Sequence, residues 1–176
     1  MVIIVEGIDR VGKTTLCEKL SKEIGYSIFK KDRTEVPNLF RKDGTNIPIR
    51  IQKNSSAFIN YGNAAAIVEL INRGYIDNII IDRFHWTEAV YSKIDRRDPL
   101  PSMLMDNIEN QMQKERFLMV YVIPTDIQWS SNQHGTDLSY HSKMFDDLYR
   151  NSKLDIIVTD FNNLDKTVKT IKGVVY

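Results

Sequence analysis

The sequence predicts an α/β protein, a parallel sheet of about five strands with helices on both faces. Three observations lead there. Four short apolar runs, Val2 to Val5, Ile79 to Ile81, Phe117 to Ile123 and Leu154 to Val158, are continuous rather than alternating, which suits strands buried on both faces. Stretches with helical spacing separate them. The first run leads into a glycine-containing loop and then into an apolar-periodic helix, so strand and helix alternate from the start.

The elements follow in order. After Val2 to Val5, the residues Leu16, Leu20 and Ile24 repeat every four positions, and Gly25 supplies a stop. Tyr26 to Phe29 is a weaker strand candidate, and Lys31 to Lys53 reads as irregular. Ala57 to Arg73 forms a helix closed by Gly74. Beyond the strand at Ile79 to Ile81 come helices over Phe84 to Ile94 and Ser102 to Lys114. The strand Phe117 to Ile123 is followed by a second irregular segment, Pro124 to Asp137. Leu138 to Asn151, the strand Leu154 to Val158 and the helix Asp165 to Lys172 complete the chain. No linker, repeat or low-complexity tract divides residues 1–176, which predicts a single domain.

Composition narrows the function classes. Of the 176 residues, 42% are hydrophobic and 27% charged, which excludes disordered, collagen-like and disulfide-scaffold proteins. Lys plus Arg total 24 against 23 Asp plus Glu, a net charge of +1. Bulk charge therefore does not hold the chain to nucleic acid or membrane, and any polyanion must be met by a local cluster. The single cysteine, Cys17, makes neither an internal disulfide nor a multi-cysteine zinc site and fits a reducing compartment. No run approaches the ~20 apolar residues that span a bilayer. Met1 to Glu6 has no basic region and no cleavage site, so the expected location is cytoplasmic, with no membrane partner.

The loop Gly7-Ile8-Asp9-Arg10-Val11-Gly12-Lys13-Thr14-Thr15 matches G-x-x-x-x-G-K-[ST] in every fixed position, between a buried strand and a helix as that pattern requires. Its glycines let the backbone curl so that several N–H groups face one oxyanion. The helix N-terminus adds partial positive charge. Lys13 is placed to reach β- and γ-phosphates of ATP, and the Thr14 hydroxyl to ligate Mg²⁺. A carboxylate beside a triphosphate is unfavourable unless it has a task. Asp9 is placed to accept a hydrogen bond from a sugar hydroxyl or to orient Arg10, and Arg10 to set its guanidinium against the transferring phosphoryl group. At the end of the middle strand, Asp82 is positioned to bind Mg²⁺ directly or through water, and Arg83 to hold a phosphate of donor or acceptor.

The segment Glu6 to Thr15 resembles the phosphate-binding loop of thymidylate kinases, and its Glu-Gly-x-Asp opening is fairly specific to them among P-loop kinases. The resemblance implies a three-layer P-loop kinase fold, use of ATP and Mg²⁺, and contact of Asp9 with the acceptor's 3′-hydroxyl region. One subgroup of the family carries a catalytic arginine directly after that Asp, where Arg10 stands. Asp82 to Tyr91 is similar to the family's Asp-Arg-[Tyr/Phe] segment, with Thr87 in place of a Ser and Tyr91 one residue later than the usual aromatic. In the family that helix lines the acceptor pocket, which implies roles for Arg83, Thr87 and Tyr91. Arg33 and Pro37 match a family Arg that binds the acceptor phosphate and a nearby Pro, and Phe58 matches an aromatic that stacks on thymine.

Two departures stand out. The family arginine one turn past that aromatic is absent, since no Arg lies between Phe58 and Asn72, leaving the amides of Asn60 and Asn63 to pair with a base edge. The lid over 124–137 ends in His134-Gly135-Thr136-Asp137 rather than Arg-Gly-x-x-Asp, and no Arg lies between Arg116 and Arg150. This fits the subgroup whose arginine sits in the phosphate loop and gives Arg10 more weight. His85 reads as structural, because phosphate-to-phosphate transfer needs no general base, and Trp86 as core or pocket wall. The chain is shorter than typical relatives, which points to a trimmed cellular or viral member, acting in the host cytoplasm if viral.

The expected activity is ATP-dependent phosphorylation of a deoxynucleoside monophosphate, with dTMP to dTDP the foremost case. A deoxynucleoside kinase with Glu6 as base, a kinase for a modified pyrimidine (free or in DNA) and a nucleotide-binding module without catalysis stay open as alternatives. The expected partner is a small-molecule nucleotide and not nucleic acid. Relatives commonly dimerise near the acceptor site, and Ala64 to Val68 permits a homodimer.

Overall fold

The computed structural model describes residues 1–30, 49–95 and 101–176, with side chains described there except at 49–60, 95 and 101–105. Five strands form one sheet in the order β2-β3-β1-β4-β5. They are β1 (Val2–Glu6), β2 (Ser27–Lys30), β3 (Ile79–Asp82), β4 (Phe117–Val122) and β5 (Ile156–Thr159). Every neighbouring pair is parallel, and Ile4 stands between Ile81 on β3 and Met119 on β4. Seven α-helices connect or flank them: α1 (Lys13–Ile24), α2 (Ile49–Asn72), α3 (His85–Asp95), α4 (Pro101–Gln111), α5 (Ile127–His134), α6 (Ser139–Asn151) and α7 (Leu164–Val175).

Parallel neighbours need crossover connections, and right-handed crossovers fix where the helices go. The chain moves one way from β1 to β2 and the other way from β2 to β5, so α1 lies on the face opposite α2, α3 and α6. The packing agrees: α1 pairs with α7, whereas α3 touches α2, α4 and α6. All of β1 and all of β4 are buried, because these central strands have helices on both sides. The expectation of double burial fails at the edge. On β5, Ile156 and Ile157 are half-buried and Val158 is exposed, since an edge strand lacks a neighbour to shield it.

Two other expectations are corrected. The segment 124–137 is not irregular throughout but contains α5, started by Asp126, whose Oδ1 accepts from the Gln128 and Trp129 backbone N–H groups at 2.8 and 3.0 Å. The long helix α2 starts at Ile49, eight residues before the predicted Ala57, so the tail of the stretch 31–53 is helical. Along Ala64 to Val68, Ala64 and Val68 turn into the protein's own core, leaving Ala66 exposed. Cys17 is buried in the same core. Among the described residues no helix is long and apolar enough to cross a membrane.

The carboxyl ends of the strands carry the loops richest in polar side chains. The loop after β1 turns to α1 on one face, and the loop after β3 turns to α3 on the other, so a crevice opens between the carboxyl ends of β1 and β3. Gly7 sits at its root with φ 144°, and a Cβ there would stand 2.3 Å from the Val122 carbonyl oxygen. Gly7→Ala therefore combines backbone strain with a backbone clash. It is expected to cost about 3 kcal/mol, lowering Tm by roughly 10 °C in thermal unfolding; an unchanged Tm would mean the loop yields freely.

Candidate active site

The crevice is built on the loop between β1 and α1. Gly12, with φ 94°, occupies the N-cap of α1 and offers no side chain to cap it. The first-turn N–H groups, which lack intrahelical partners, therefore face the loop's concavity as an oxyanion site. A Cβ on Gly12 would meet the Phe161 ring at 2.6 Å, so the loop and the turn after β5 are seated closely together.

Lys13 follows, almost fully buried, and its Nζ donates to the Ile8 carbonyl inside the loop. Burial, aided by Arg83, pushes the Lys13 ammonium down to about 8, against the opposing pull of Asp9, Asp82 and Glu6. A polyphosphate at this point would favour the charged form. The Thr14 hydroxyl donates to Asp82 Oδ2 at 2.9 Å, joining α1 to the end of β3. The other oxygen, Asp82 Oδ1, is buried with no hydrogen-bond partner among the described residues. A hydroxyl and a carboxylate oriented together, with one buried oxygen unsatisfied, fit a Mg²⁺ ion that takes its remaining ligands from phosphate and water. Among the described residues no three His, Cys, Asp or Glu side chains converge as a metal cluster.

Asp9 is the centre of a second group. Arg83 Nη1 lies 2.6 Å from its Oδ1, and His134 Nε2 lies 3.2 Å from its Oδ2. Its backbone N–H donates to the Tyr91 hydroxyl at 3.1 Å. Burial works to raise the Asp9 carboxyl, but Arg83, Lys13 and His134 outweigh it and hold the group below its ordinary value. The partner of Asp9 is thus Arg83 rather than Arg10, which was the other expectation. Arg10 lies exposed on the loop, and both arginines have left-handed backbones, φ 67° and 71°. Such conformations cost ~1–2 kcal/mol in a non-glycine residue and persist only where the surroundings impose them.

Behind these groups stands Glu6, fully buried at the end of β1. Its Oε1 accepts from the backbone N–H groups of Phe84 and Trp86, both at 2.9 Å, and its Oε2 from the Thr87 N–H at 3.2 Å and from the Thr87 hydroxyl. The first turn of α3 closes on this one carboxylate, whose charge the helix N-terminus favours. Thr87 thereby donates its hydroxyl hydrogen bond to Glu6. A further network ties α3 to α4 and the segment before β5. Glu109 Oε1 accepts from Trp86 Nε1 at 2.7 Å and faces His85 Nε2 at 3.2 Å, while Oε2 accepts from the Ser152 hydroxyl at 3.0 Å.

No family model matches the chain, and no curated protein matches it. Solved structures do resemble it over its whole length. The YorR protein from Bacillus subtilis, solved in complex with phosphorylated GDP, is 24% identical with a TM-score of 0.66, covering 99% of this chain and 95% of that one. Deoxyadenosine kinase from M. mycoides with bound dATP is 16% identical with a TM-score of 0.65, covering 99% of each chain. The same kinase with dCMP and a flexible dCDP is 17% identical with a TM-score of 0.62, covering 99% of this chain and 98% of that one.

The chain has the P-loop kinase fold.

On that fold the expected residues Gly7, Ile8, Asp9, Arg10, Val11, Gly12, Lys13, Thr14, Thr15, Asp82, Arg83 and Tyr91 gather at the carboxyl ends of β1 and β3. Thr87 is adjacent but turned to Glu6. Arg33 and Pro37 lie outside the described residues, and Phe58 and Asn60 lie on α2 with side chains outside those described. Asn63 is exposed on the same helix. His85 is buried against Glu109, in keeping with a structural role. Sequence reasoning missed the Glu6 cap and the Glu109 network. A local cap pattern, Ser or Thr with an acid three residues later, was the one signal open to it, and here the capping carboxylate comes from a strand 78 residues earlier.

The Glu109 network sets an acid limit. Burial raises the Glu109 carboxyl, but the donors from His85, Trp86 and Ser152 outweigh it and bring it down to about 2 from an ordinary 4.5. Because the folded value is the lower one, the stability is present above pH 4.5 and lost as pH falls toward 2. About 3 kcal/mol is at stake. Acid denaturation followed by circular dichroism should show Glu109→Gln less stable than wild type near neutral pH, with the two converging as pH falls toward 2; parallel curves would contradict this.

Proposed function

We propose that the chain transfers the γ-phosphoryl group of ATP to the phosphate of a deoxynucleoside monophosphate, with dTMP the foremost acceptor. The loop from Gly7 to Thr15 takes the ATP phosphates. Thr14 and Asp82 would hold Mg²⁺, which would supply positive charge against the ATP phosphates. Asp9 and Tyr91 border the acceptor. An acceptor phosphate oxygen attacks the γ-phosphorus as the bond to the β–γ bridging oxygen breaks, and Lys13 and Arg10 stabilise the charge in transit.

The observation that carries the monophosphate reading is the state of Glu6. Phosphorylating a hydroxyl wants a carboxylate base, and Glu6 is the sequence's candidate. Its oxygens are instead engaged by three N–H groups and a hydroxyl at the start of α3, which occupies their lone pairs, and the residue is fully buried. A monophosphate brings its own anionic nucleophile and needs no such base. The likeness to deoxyadenosine kinase supports kinase chemistry on a nucleoside or nucleotide and favours the nucleoside as the second reading.

ADP release measured with dTMP, dUMP, dCMP, thymidine and single-stranded DNA separates them. A monophosphate is expected to stimulate at least about tenfold more than thymidine; preference for thymidine would sink the proposal, and no response to any acceptor would favour a binding module. Lys13→Ala and Arg10→Ala should each lower transfer about a hundredfold or more with Tm changed by only a few degrees. Full activity of Arg10→Ala would remove that arginine from the mechanism.

A further inference from the structure

We propose that His134 is a positioning residue for the transfer, acting through Asp9. It ties the lid helix α5 to the phosphate loop and fixes the carboxylate that receives the acceptor; this rests on the monophosphate reading above.

The contact joins residues 125 positions apart, and both of its sides are held. On the lid side, α5 starts on the Asp126 cap and ends at Gly135, whose left-handed backbone (φ 80°) lets its N–H bond the Ser131 carbonyl at 2.9 Å. Ser131 Oγ accepts from the N–H of Leu138, a fully buried residue, at 2.9 Å, so the turn after α5 is pinned to the start of α6. His134 is the last residue of α5, where the partial negative charge of the helix end favours a donor or cation. Its Nδ1 lies 2.6 Å from the Thr136 hydroxyl, which sets the ring so that Nε2 faces Asp9 Oδ2. Nε2 stands at ion-pair distance from Asp9 Oδ2, and a protonated ring places its positive charge against the carboxylate. The contact is therefore one of charge between the ring and the carboxylate.

On the loop side, Asp9 has one oxygen on Arg83 and the other on His134. Two ion pairs bracket the carboxylate, while its buried Oδ1 has no hydrogen-bond partner among the described residues and so keeps acceptor capacity for a substrate hydroxyl. Between Phe117 and Ser142 the sequence has no Lys or Arg, so within that span His134 and His141 are the basic side chains, and the His141 ring packs against Tyr91, with centroids 5.0 Å apart. Removing His134 frees Asp9 on one side while Lys13, Thr14 and Asp82 keep their arrangement. The effect should fall on the acceptor and spare ATP.

A double-mutant cycle tests this: kcat and KM for the best monophosphate, and Kd for ATP–Mg²⁺, in wild type, His134→Ala, Asp9→Asn and the double variant. His134→Ala is expected to lower kcat/KM for the acceptor about tenfold with ATP affinity within about twofold, and to add less than about twofold once Asp9 is Asn. His134→Lys, which keeps a cation toward Asp9, should recover part of the loss, whereas the neutral His134→Gln should not. Additive effects, or a loss confined to ATP affinity, would overturn the proposal. The contact is also read without any acceptor, in long-range ¹⁵N–¹H spectra where Asp9→Asn should move the His134 Nε2 resonance. An unmoved resonance overturns the positioning role itself, whereas a moved resonance in a protein that phosphorylates no monophosphate defeats the functional reading on which the role rests.

Discussion

The arrangement hangs on one buried carboxylate. Glu6 ends the central strand with no exposure to solvent, and an ionised group there is tolerable only because the opening N–H groups of α3 converge on it. The helix end gains the capping acceptor it lacks, and the carboxylate gains donors. The consequence runs outward. Once the first turn of α3 is fixed on Glu6, the residue just before Phe84 has little freedom, and Arg83 adopts its left-handed backbone with its N–H on the Val5 carbonyl at 3.0 Å. From there its guanidinium meets Asp9. The geometry of the loop after β1 is thus coupled to α3.

In a chain of net charge +1, three basic side chains among the described residues gather around one carboxylate. Lys13, Arg83 and His134 surround Asp9, and Arg10 stands exposed beside them. The carboxylate offsets their mutual repulsion before any anion arrives, while the buried Lys13, brought down to about 8, is a group whose charged form a bound phosphate would stabilise. Under the proposed reading, that arrangement would receive a small phosphate-bearing ligand.

Much of this was legible in the sequence because it is local. Four of the five strands appear as short apolar runs, β2 at the sheet edge being the weaker candidate, and the glycine loop appears because its glycines, Lys13 and Thr14 are close neighbours in the chain. Thr14 and Asp82 were each marked for the same ion, and their hydrogen bond brings them together. The rest was hidden where the cause is long-range. The helix α5 is short, polar and started by Asp126, so it shows little apolar period within a segment that opens on Pro124. The strand β5 reads as apolar as β1 does, and its half-exposure follows from its place at the edge, which composition does not encode. The pairing of Asp9 with Arg83 and His134 spans 74 and 125 residues, beyond any local pattern.

The most direct test of the account is what Glu6→Gln costs. If Glu6 anchors α3 and the acceptor supplies its own nucleophile, the amide NH₂ placed against backbone N–H groups should destabilise the fold by about 2–4 kcal/mol. Under nucleotide saturation at low temperature, where the variant stays folded, single-turnover transfer to a monophosphate should then remain within about tenfold of wild type. A variant that keeps its stability while losing transfer by a hundredfold or more would make Glu6 a catalytic base and would contradict the reading of this site as one for anionic acceptors.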